Sequence, residues 1–167
     1  GYSEFAYVDS KSIVPVPKGL SLREAMILGT AGFTAALAIE RLEHMGTKQS
    51  QGPVVVNGAS GGVGCLAISM LHKLGYHTIA TSSKPSAETL LTTLGATEVC
   101  QFDDLKLKKT PLGKGLFAAA IDNLGGEQLS QLLSHIKLWG NVACVGNAIS
   151  PNMEISNLPL ILRGVSL

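Results

Sequence analysis

The chain has 167 residues, of which 46% are hydrophobic and only 15% charged, so a single domain with a sizeable buried core is expected. Its formal net charge is +1 and no basic run is interleaved with aromatic residues, which argues against a nucleic-acid-binding protein. No signal peptide opens the chain and no apolar run reaches the roughly 18 residues of a membrane span, so no membrane association is expected.

The N-terminal third is predicted as a short strand, a turn, an extended segment and one long helix. The strand, turn and extended Pro-containing segment occupy residues 4–21, and Ser21 is the expected N-cap of the helix. Residues 22–45 are rich in Ala and Leu, are interrupted by small residues, and predict a helix that stops at Gly46. Residues 48–52 predict a polar turn.

From residue 54 onward, predicted strands and helices alternate. The predicted strands are 54–56, 76–81, 97–101, 116–122 and 141–146, and the predicted helices are 62–74, 87–94 and 127–136. Residues 102–115 are charged and contain Gly and Pro, which indicates an irregular connection. Strands that alternate with single helices imply right-handed crossovers and a parallel sheet with helices on both faces. The predicted fold class is therefore α/β.

Residues 59–64, Ala-Ser-Gly-Gly-Val-Gly, join the first of these strands to a helix, the context that a dinucleotide-binding motif requires. Backbone N–H groups at the helix N-terminus then bind a pyrophosphate. Gly61 would permit close approach of the phosphate and Gly64 close packing of the helix, whereas Ala59 replaces the first glycine of the motif. The alternative is a tight turn without a ligand. A nucleoside-triphosphate loop is excluded because Cys65 stands where that motif needs a lysine.

The second strand ends in Ser82, Ser83 and Lys84, where an NAD-binding protein usually carries an acidic residue. An acid there would accept the ribose 2′-hydroxyl of NAD and would repel a 2′-phosphate. Two hydroxyls and an ammonium group instead suit a dianionic phosphate. We therefore predict NADP(H) as the cofactor, with an exposed polar loop as the alternative interpretation.

The remaining reactive residues form no recognisable catalytic or disulfide pattern. Cys65, Cys100 and Cys144 make neither a CxxC pair nor a disulfide framework, which predicts a reducing, cytoplasmic location. No nucleophile lies beside a base in the sequence, so the catalytic residues stay unknown. Such an arrangement is compatible with hydride transfer, in which the cofactor supplies the chemistry and the protein supplies position and electrostatics.

Four segments together resemble a known family: LGTAGFTAA (28–36), NGASGGVG (57–64), AIDNLGG (120–126) and PLILRGVSL (159–167). Over nearly its whole length the chain resembles the cofactor domain of the zinc-independent medium-chain dehydrogenases/reductases, in the quinone oxidoreductase branch that includes bacterial NADPH-dependent acryloyl-CoA reductases.

This resemblance implies a Rossmann-like, doubly wound parallel sheet, truncated from a two-domain enzyme. Residues 1–18 would be the remnant of the GroES-like catalytic domain and a linker. Residues 19–167 would be an NADP(H)-binding Rossmann domain, incomplete at its C-terminal end, where Leu167 would lie within a late strand.

The resemblance also implies roles for individual residues. Ser60, Gly61, Gly62 and Val63 match the pyrophosphate turn, and Ser82, Ser83 and Lys84 match the 2′-phosphate loop. Asn147 and Ile161 match positions beside the nicotinamide, and Thr30 lies on the helix that borders the cofactor cleft. In zinc-dependent relatives a cysteine ligand stands at the position of Ala31, so no metal is expected. Asp122 is expected to support the turn that follows it.

The function that the resemblance implies is transfer of hydride from NADPH to a quinone, an enone or an acryloyl-CoA-like thioester. The full-length enzyme would be a homodimer, and this chain alone would be inactive. Two alternatives stay open. One is a nucleotide-binding Rossmann domain without catalysis. The other is an NAD-dependent alcohol dehydrogenase domain, which Ala31 and the absence of an acid after Thr81 disfavour.

Overall fold

The computed structural model describes residues 3–167; residues 1 and 2, which begin the predicted 1–18 segment, lie outside that range. The helices are α1 (Leu22–His44), α2 (Gly62–Lys73), α3 (Glu88–Thr93), α4 (Gly126–Ser134) and α5 (Leu158–Arg163). The strands are β1 (Val54–Val56), β2 (Thr78–Thr81), β3 (Glu98–Cys100), β4 (Phe117–Asp122) and β5 (Ile136–Cys144).

The five strands form one sheet in the order β3-β2-β1-β4-β5, and every neighbouring pair is parallel. This is the Rossmann order, so the predicted α/β class and doubly wound parallel sheet are confirmed. The direction in which successive strands are added reverses between β1 and β4. Beyond β5, an isolated parallel bridge joins Asn141 to Ser166, at the place of a sixth strand.

Two hydrophobic clusters cover the two faces of the sheet, because side chains alternate along a strand. Val54 and Val56 point to the cluster that contains α1, α2 and α3 residues. Val55, between them, points to the cluster built with α4 residues such as Leu129 and Leu132. All three valines are 0% exposed, as expected for a central strand covered on both faces.

Helix α1 begins as predicted. Ser21 accepts a hydrogen bond from the Glu24 amide, and the Glu24 carboxylate accepts one from the Ser21 amide, which makes a capping box. The helix is broken at Gly29, whose φ of 46° and ψ of −149° lie outside the helical region. By length and composition alone α1 could cross a membrane, with 22% of its most apolar window buried in this structure. The sequence prediction concerned an unbroken apolar run of about 18 residues, which α1 does not contain, since Glu24 and Glu40 bound its longest uncharged stretch. The buried residues of α1 pack against α2.

Four other features differ from the sequence prediction. Residues 4–21 contain no strand. They form one 3-10 turn at Ser10–Ser12 and are exposed except for the half-buried Leu20, since no described strand lies beside them to pair with. The predicted helix 127–136 ends at Ser134, and β5 starts at Ile136 rather than at residue 141. A register shift between Phe117 and Ala119 of β4 interrupts the alternation of β5, which hides its first half. Helix α5 was not predicted.

Candidate functional site

A cleft of about 730 Å³ lies at the carboxyl edge of the sheet. The turns that follow all five strands contribute to its walls. Ligands of open α/β sheets bind at this edge, where the strand order reverses, because the turns on either side of the reversal separate and leave a crevice. The fold therefore selects this cleft as the candidate site.

Most of the residues predicted from the sequence meet in this cleft. Those that line it are Ser60, Gly61, Gly62, Val63, Ser82, Ser83, Lys84 and Asn147. Thr30 and Ile161 are not among its lining residues. Ile161 is 68% exposed because Pro159 and Leu160 bury the other side of the short helix α5 against the core. Thr30 is exposed, but its neighbour Ala31 lies beside the glycine turn, 3.5 Å from where a Cβ of Gly62 would be.

The glycine turn after β1 opens the N-terminus of α2 to the cleft. Gly58 has a φ of 56°, a left-handed conformation that favours glycine, and its carbonyl accepts a hydrogen bond from the Gly61 amide at 3.0 Å. Gly61 is the N-cap of α2, and no side chain caps this end of the helix. A helix N-terminus carries free N–H groups and partial positive charge. The turn is thus suited to a phosphate group.

The turn is also held to its neighbours by close contacts. A Cβ on Gly64 would lie 2.6 Å from the Ala59 carbonyl oxygen, so only glycine lets α2 approach the turn this closely. The Ala59 amide donates to the carbonyl of Thr81 at 3.0 Å. These contacts fix the turn against β2 and orient the first N–H groups of α2.

The polar loop after β2 is joined to the glycine turn through side chains. Ser82 Oγ donates to Ser60 Oγ at 3.0 Å, and the Lys84 amide donates to Ser82 Oγ at 3.1 Å. Lys84 is exposed, and among residues 3–167 no salt bridge involves its ammonium group. The loop therefore presents an unpaired cation and hydroxyls beside the turn.

Two buried polar atoms lack a hydrogen-bond partner within residues 3–167: Thr81 Oγ1 and Gln128 Oε1. Both residues line this cleft. An unsatisfied buried polar atom costs about 1–3 kcal/mol, and a bound ligand with hydrogen-bonding groups could remove that cost. The residues present therefore fit a polar, phosphate-bearing cofactor such as a dinucleotide.

A buried network behind the opposite wall of the cleft was predicted only in part: Asp122 supports the turn that follows it, as expected, whereas its bond to Asn57 was not predicted. Asp122, at the end of β4, is 0% exposed. Its Oδ1 accepts from Asn57 Nδ2 at 2.5 Å, and its Oδ2 accepts from the Gly125 amide at 2.9 Å. Burial raises the pKa of the Asp122 carboxyl, and hydrogen bonds from Asn57, Gly125, Leu124 and Cys144 partly oppose that rise.

Several other cleft residues were missed in the sequence. Gln101, Phe102 and Asp103 follow β3, Asn123 and Leu124 follow β4, and Gln128 lies on α4. A usable signal was present for the residues at strand ends, because turns after parallel strands meet at one edge of a sheet. Gln128 carries no such signal.

Two further observations bear on the choice of site. A second cavity of about 820 Å³ lies between α4 and residues 149–156, but neither unpartnered buried atom lines it, and neither does the glycine turn. Among the described residues, no group of three or more His, Cys, Asp or Glu side chains could hold a metal ion.

Comparison with known proteins identifies related sequences. A family model described as zinc-binding dehydrogenase matches residues 62–167. YhfP of Bacillus subtilis, provisionally named a quinone oxidoreductase, is 46% identical over 170 residues, which cover 100% of this chain and 51% of YhfP. The acrylyl-CoA reductase AcuI of Ruegeria pomeroyi is 42% identical over 168 residues, again 100% of this chain and 51% of AcuI. The chain thus spans about half the length of these curated relatives.

Solved structures show the same fold. The crystal structure of Escherichia coli K-12 YhdH with bound NADPH superposes with a TM-score of 0.87 at 43% identity, covering 92% of this chain and 47% of YhdH. The structure of Bacillus subtilis YhfP with bound NAD also has a TM-score of 0.87, at 45% identity and the same coverage of 92% and 47%.

Proposed function

The chain belongs to the zinc-binding dehydrogenase family, and on this basis we propose that it is the NADP(H)-binding part of an oxidoreductase. The proposed reaction is transfer of hydride from NADPH to a quinone, an enone or an acryloyl-CoA-like thioester. The observation that carries the proposal is the meeting of the glycine turn and the Ser82–Lys84 loop in one cleft. The names of AcuI and YhfP support the two substrate classes.

The glycine turn is the proposed site of the diphosphate. Backbone N–H groups at the start of α2 would donate to the phosphate oxygens, and Gly61 and Gly62 leave room for them. Ser60 is placed to donate its hydroxyl hydrogen as well, since its Oγ accepts rather than donates in the bond to Ser82. Val63 would form the apolar side of the turn.

The loop after β2 is the proposed site of the adenosine 2′-phosphate. Ser83 would donate its hydroxyl hydrogen, and the Lys84 ammonium would supply a positive charge without the planar fork of an arginine. Ser82 would border the phosphate and hold the loop to the glycine turn, because its hydroxyl hydrogen is donated to Ser60 Oγ. This arrangement supports NADP(H) over NAD(H). The bound NAD in YhfP makes the degree of preference a matter for measurement.

The other end of the cleft is the proposed site of the nicotinamide. Bound NADPH would supply the hydride. Asn147 and the turns after β4 and β5 would position the ring, and Gln128 would find a hydrogen-bonding partner there. Thr81, at the end of β2, would find its partner at the adenosine end. Thr30 and Ile161 stay predictions, and the structure offers no support for direct contact by either.

The family also supports proposals about the whole protein. Residues 1–18 would belong to a preceding catalytic domain and linker, and 19–167 to the cofactor domain; exposed apolar side chains such as Phe5 (89%) and Met26 (75%) support a covering domain. We propose that the enzyme acts without zinc, because Ala31 provides no ligand. We also propose that the full-length enzyme is a homodimer and that it is located in the cytoplasm.

Calorimetric titration with NADPH and NADH tests the cofactor assignment. We expect tighter binding of NADPH, with the preference reduced about tenfold in Lys84→Ala, because a charged contact of this kind contributes about 1.4 kcal/mol. Lys73→Ala is the matched control, since Lys73 is also exposed but lies outside the cleft. Equal affinity for both nucleotides would contradict the 2′-phosphate assignment, and tighter NADH binding would favour the NAD-dependent alternative.

A further inference from the structure

One pair of buried side chains bridges the reversal of strand order. Strands β1, β2 and β3 lie on one side of this switch point, and β4 and β5 on the other. The cleft opens at the same place, so its two walls belong to different halves of the sheet. Asn57 follows β1 and Asp122 ends β4, and both side chains are 0% exposed.

Asn57 contacts the β4 half of the sheet through every polar group of its side chain. Its Nδ2 donates to Asp122 Oδ1 at 2.5 Å, and its Oδ1 accepts from the Asn123 amide at 2.7 Å. The main-chain carbonyl oxygen of Asn57 also accepts a hydrogen bond, from Asn123 Nδ2 at 2.7 Å. The start of the glycine turn is thereby fixed relative to the turn after β4.

Asp122 extends this connection to the turn after β5. Its Oδ2 accepts from the Gly125 amide at 2.9 Å, which orders the turn that leads into α4. The main-chain carbonyl oxygen of Asp122 accepts hydrogen bonds from the amides of Val145 at 2.8 Å and Gly146 at 3.1 Å. Hydrogen bonds therefore run from Asn57 through Asp122 to cleft-lining residues beyond β5.

The distribution of charge within the pair is not symmetrical. The neutral amide lies on the β1 side, directly before Gly58 and the glycine turn, whereas the carboxylate lies on the β4 side. Neither side chain lines the cleft, so both act through the turns that they hold. A carboxylate at position 57 would lie beside bound phosphates and would repel them.

We propose that Asn57 and Asp122 are positioning residues that hold the two walls of the cleft at the spacing a dinucleotide requires, with the negative charge kept away from the phosphate turn. This inference rests on the proposed function and deepens it. It predicts that the pair affects a ligand that spans both walls more than a ligand that occupies only one.

The first test compares NADPH with 2′,5′-ADP, which contains only the adenosine end of the cofactor. Asp122→Asn would turn an N–H₂ group toward either Asn57 Nδ2 or the Gly125 amide, so one of these bonds is lost. We expect the Kd for NADPH to rise at least about tenfold, the effect of losing about 1.4 kcal/mol, and the Kd for 2′,5′-ADP to change less than about twofold.

Thr47→Val is the control for this comparison, because it removes a buried bond of similar kind, from Asn141 Nδ2 to Thr47 Oγ1 at 2.8 Å, far from the cleft. It should leave both affinities unchanged. Equal weakening of NADPH and 2′,5′-ADP by Asp122→Asn, or no weakening of either, would overturn the inference. If the unmodified chain binds no NADPH, the proposed function itself fails instead.

The second test exchanges the two side chains in the double variant Asn57→Asp/Asp122→Asn. The new carboxylate can accept from the new amide and from the Asn123 amide, and the new amide oxygen can accept from Gly125. The exchange therefore rebuilds each hydrogen bond, which keeps the test usable if Asp122→Asn alone does not fold. We expect the thermal midpoint to match that of the original chain while NADPH binding stays at least about tenfold weaker. Full recovery of NADPH affinity would show that the placement of the charge is unimportant and would overturn that part of the inference.

Discussion

The Cys144 thiol lies next to the buried carboxylate of the proposed positioning pair. Its Sγ is 3.9 Å from Asp122 Oδ2, and Cys144 is exposed to solvent. Partial burial of the sulfur raises the pKa of this thiol, and the negative charge and hydrogen bond of Asp122 raise it further. Only the thiolate reacts with alkylating agents, so the reactivity of Cys144 reports on the charge of Asp122.

We therefore expect iodoacetamide to modify Cys144 slowly at neutral pH and faster as the pH rises. Asp122→Asn should shift this pH profile to lower pH, because it removes the negative charge that opposes the thiolate. Mass spectrometry after timed alkylation measures the profile. Cys100 is the internal control, since its pKa is raised by burial and by Asp104 and Glu98 rather than by Asp122. An unchanged Cys144 profile in the variant would contradict the expectation.

Adding a single Cβ atom at Gly64 tests how tightly α2 packs against the glycine turn. A Cβ at this position would lie 2.6 Å from backbone atoms of Ala59, which cannot move without shifting the turn. Gly64→Ala should lower the free energy of unfolding by about 1–3 kcal/mol, measured by urea denaturation. Gly62→Ala is the matched control, because its Cβ would make an ordinary 3.5 Å contact with Ala31. Similar stability of the two variants would show that the turn is more yielding than its geometry indicates.

At the scale of elements, the break at Gly29 separates the exposed start of α1 from its packed half. Residues Leu22 and Met26 are each 75% exposed, whereas Ala35 is 0% exposed. Ser21→Ala removes the capping box but should destabilise only the first segment. We expect faster amide hydrogen exchange at residues 24–26 with an unchanged thermal midpoint, and a lowered midpoint would contradict this division of the helix. Ser3→Ala is a suitable control, since Ser3 bonds only within its own exposed segment.

Elements with local signals were predictable, and those defined by distant contacts were not. Runs of β-branched residues mark β1, and Gly75 and Gly95, with φ of 81° and 99°, mark the ends of two helices as expected. The first half of β5 was hidden because Trp139, with a φ of 59°, lies in a stretch that departs from the regular register with β4. Only the sheet as a whole shows that this stretch belongs to a strand.

Some residues of the candidate site were likewise predictable from local sequence, and others depend on contacts between distant segments. The glycine turn and the Ser82–Lys84 loop each follow one strand directly, so their chemistry is visible in a few consecutive residues. The bond between Asn57 and Asp122 depends on β1 lying beside β4, which no local pattern indicates. Gln128 likewise enters the cleft only because α4 packs behind the turn after β4. Long-range pairing therefore accounts for what the sequence did not reveal.

In the molecule as a whole, the low fraction of charged residues is accompanied by a surface patch of exposed apolar side chains. Exposed apolar side chains gather near the outer edge of β5 and on α5, where Leu138 is 61%, Trp139 68%, Ile161 68% and Leu162 59% exposed. Ser166 pairs with only part of this edge, at Gly140 and Val142. A strand edge that is left partly unpaired beside apolar side chains favours pairing with another chain. This surface supports the proposed homodimer.

Sedimentation velocity over a range of concentrations tests that surface. We expect the chain to self-associate, and the double variant Leu138→Ser/Ile161→Ser to weaken the association at least about fivefold, because it removes two exposed apolar contacts. Leu90→Ser, at a position that is 49% exposed on the opposite edge of the domain, should have no such effect. Association that is unaffected by the double variant would place the contact elsewhere.

The separation of Asn57 and Asp122 along the chain also has a kinetic consequence. Their bond joins residues 65 positions apart, whereas β1 and β2 are joined through the single helix α2. Contacts between residues close in sequence form sooner than distant ones, because closing a long loop costs more entropy. During refolding the β1-α2-β2 unit should therefore mature first, and the crevice between β1 and β4 should close last. A nascent chain would acquire the phosphate turn well before it could retain a whole dinucleotide.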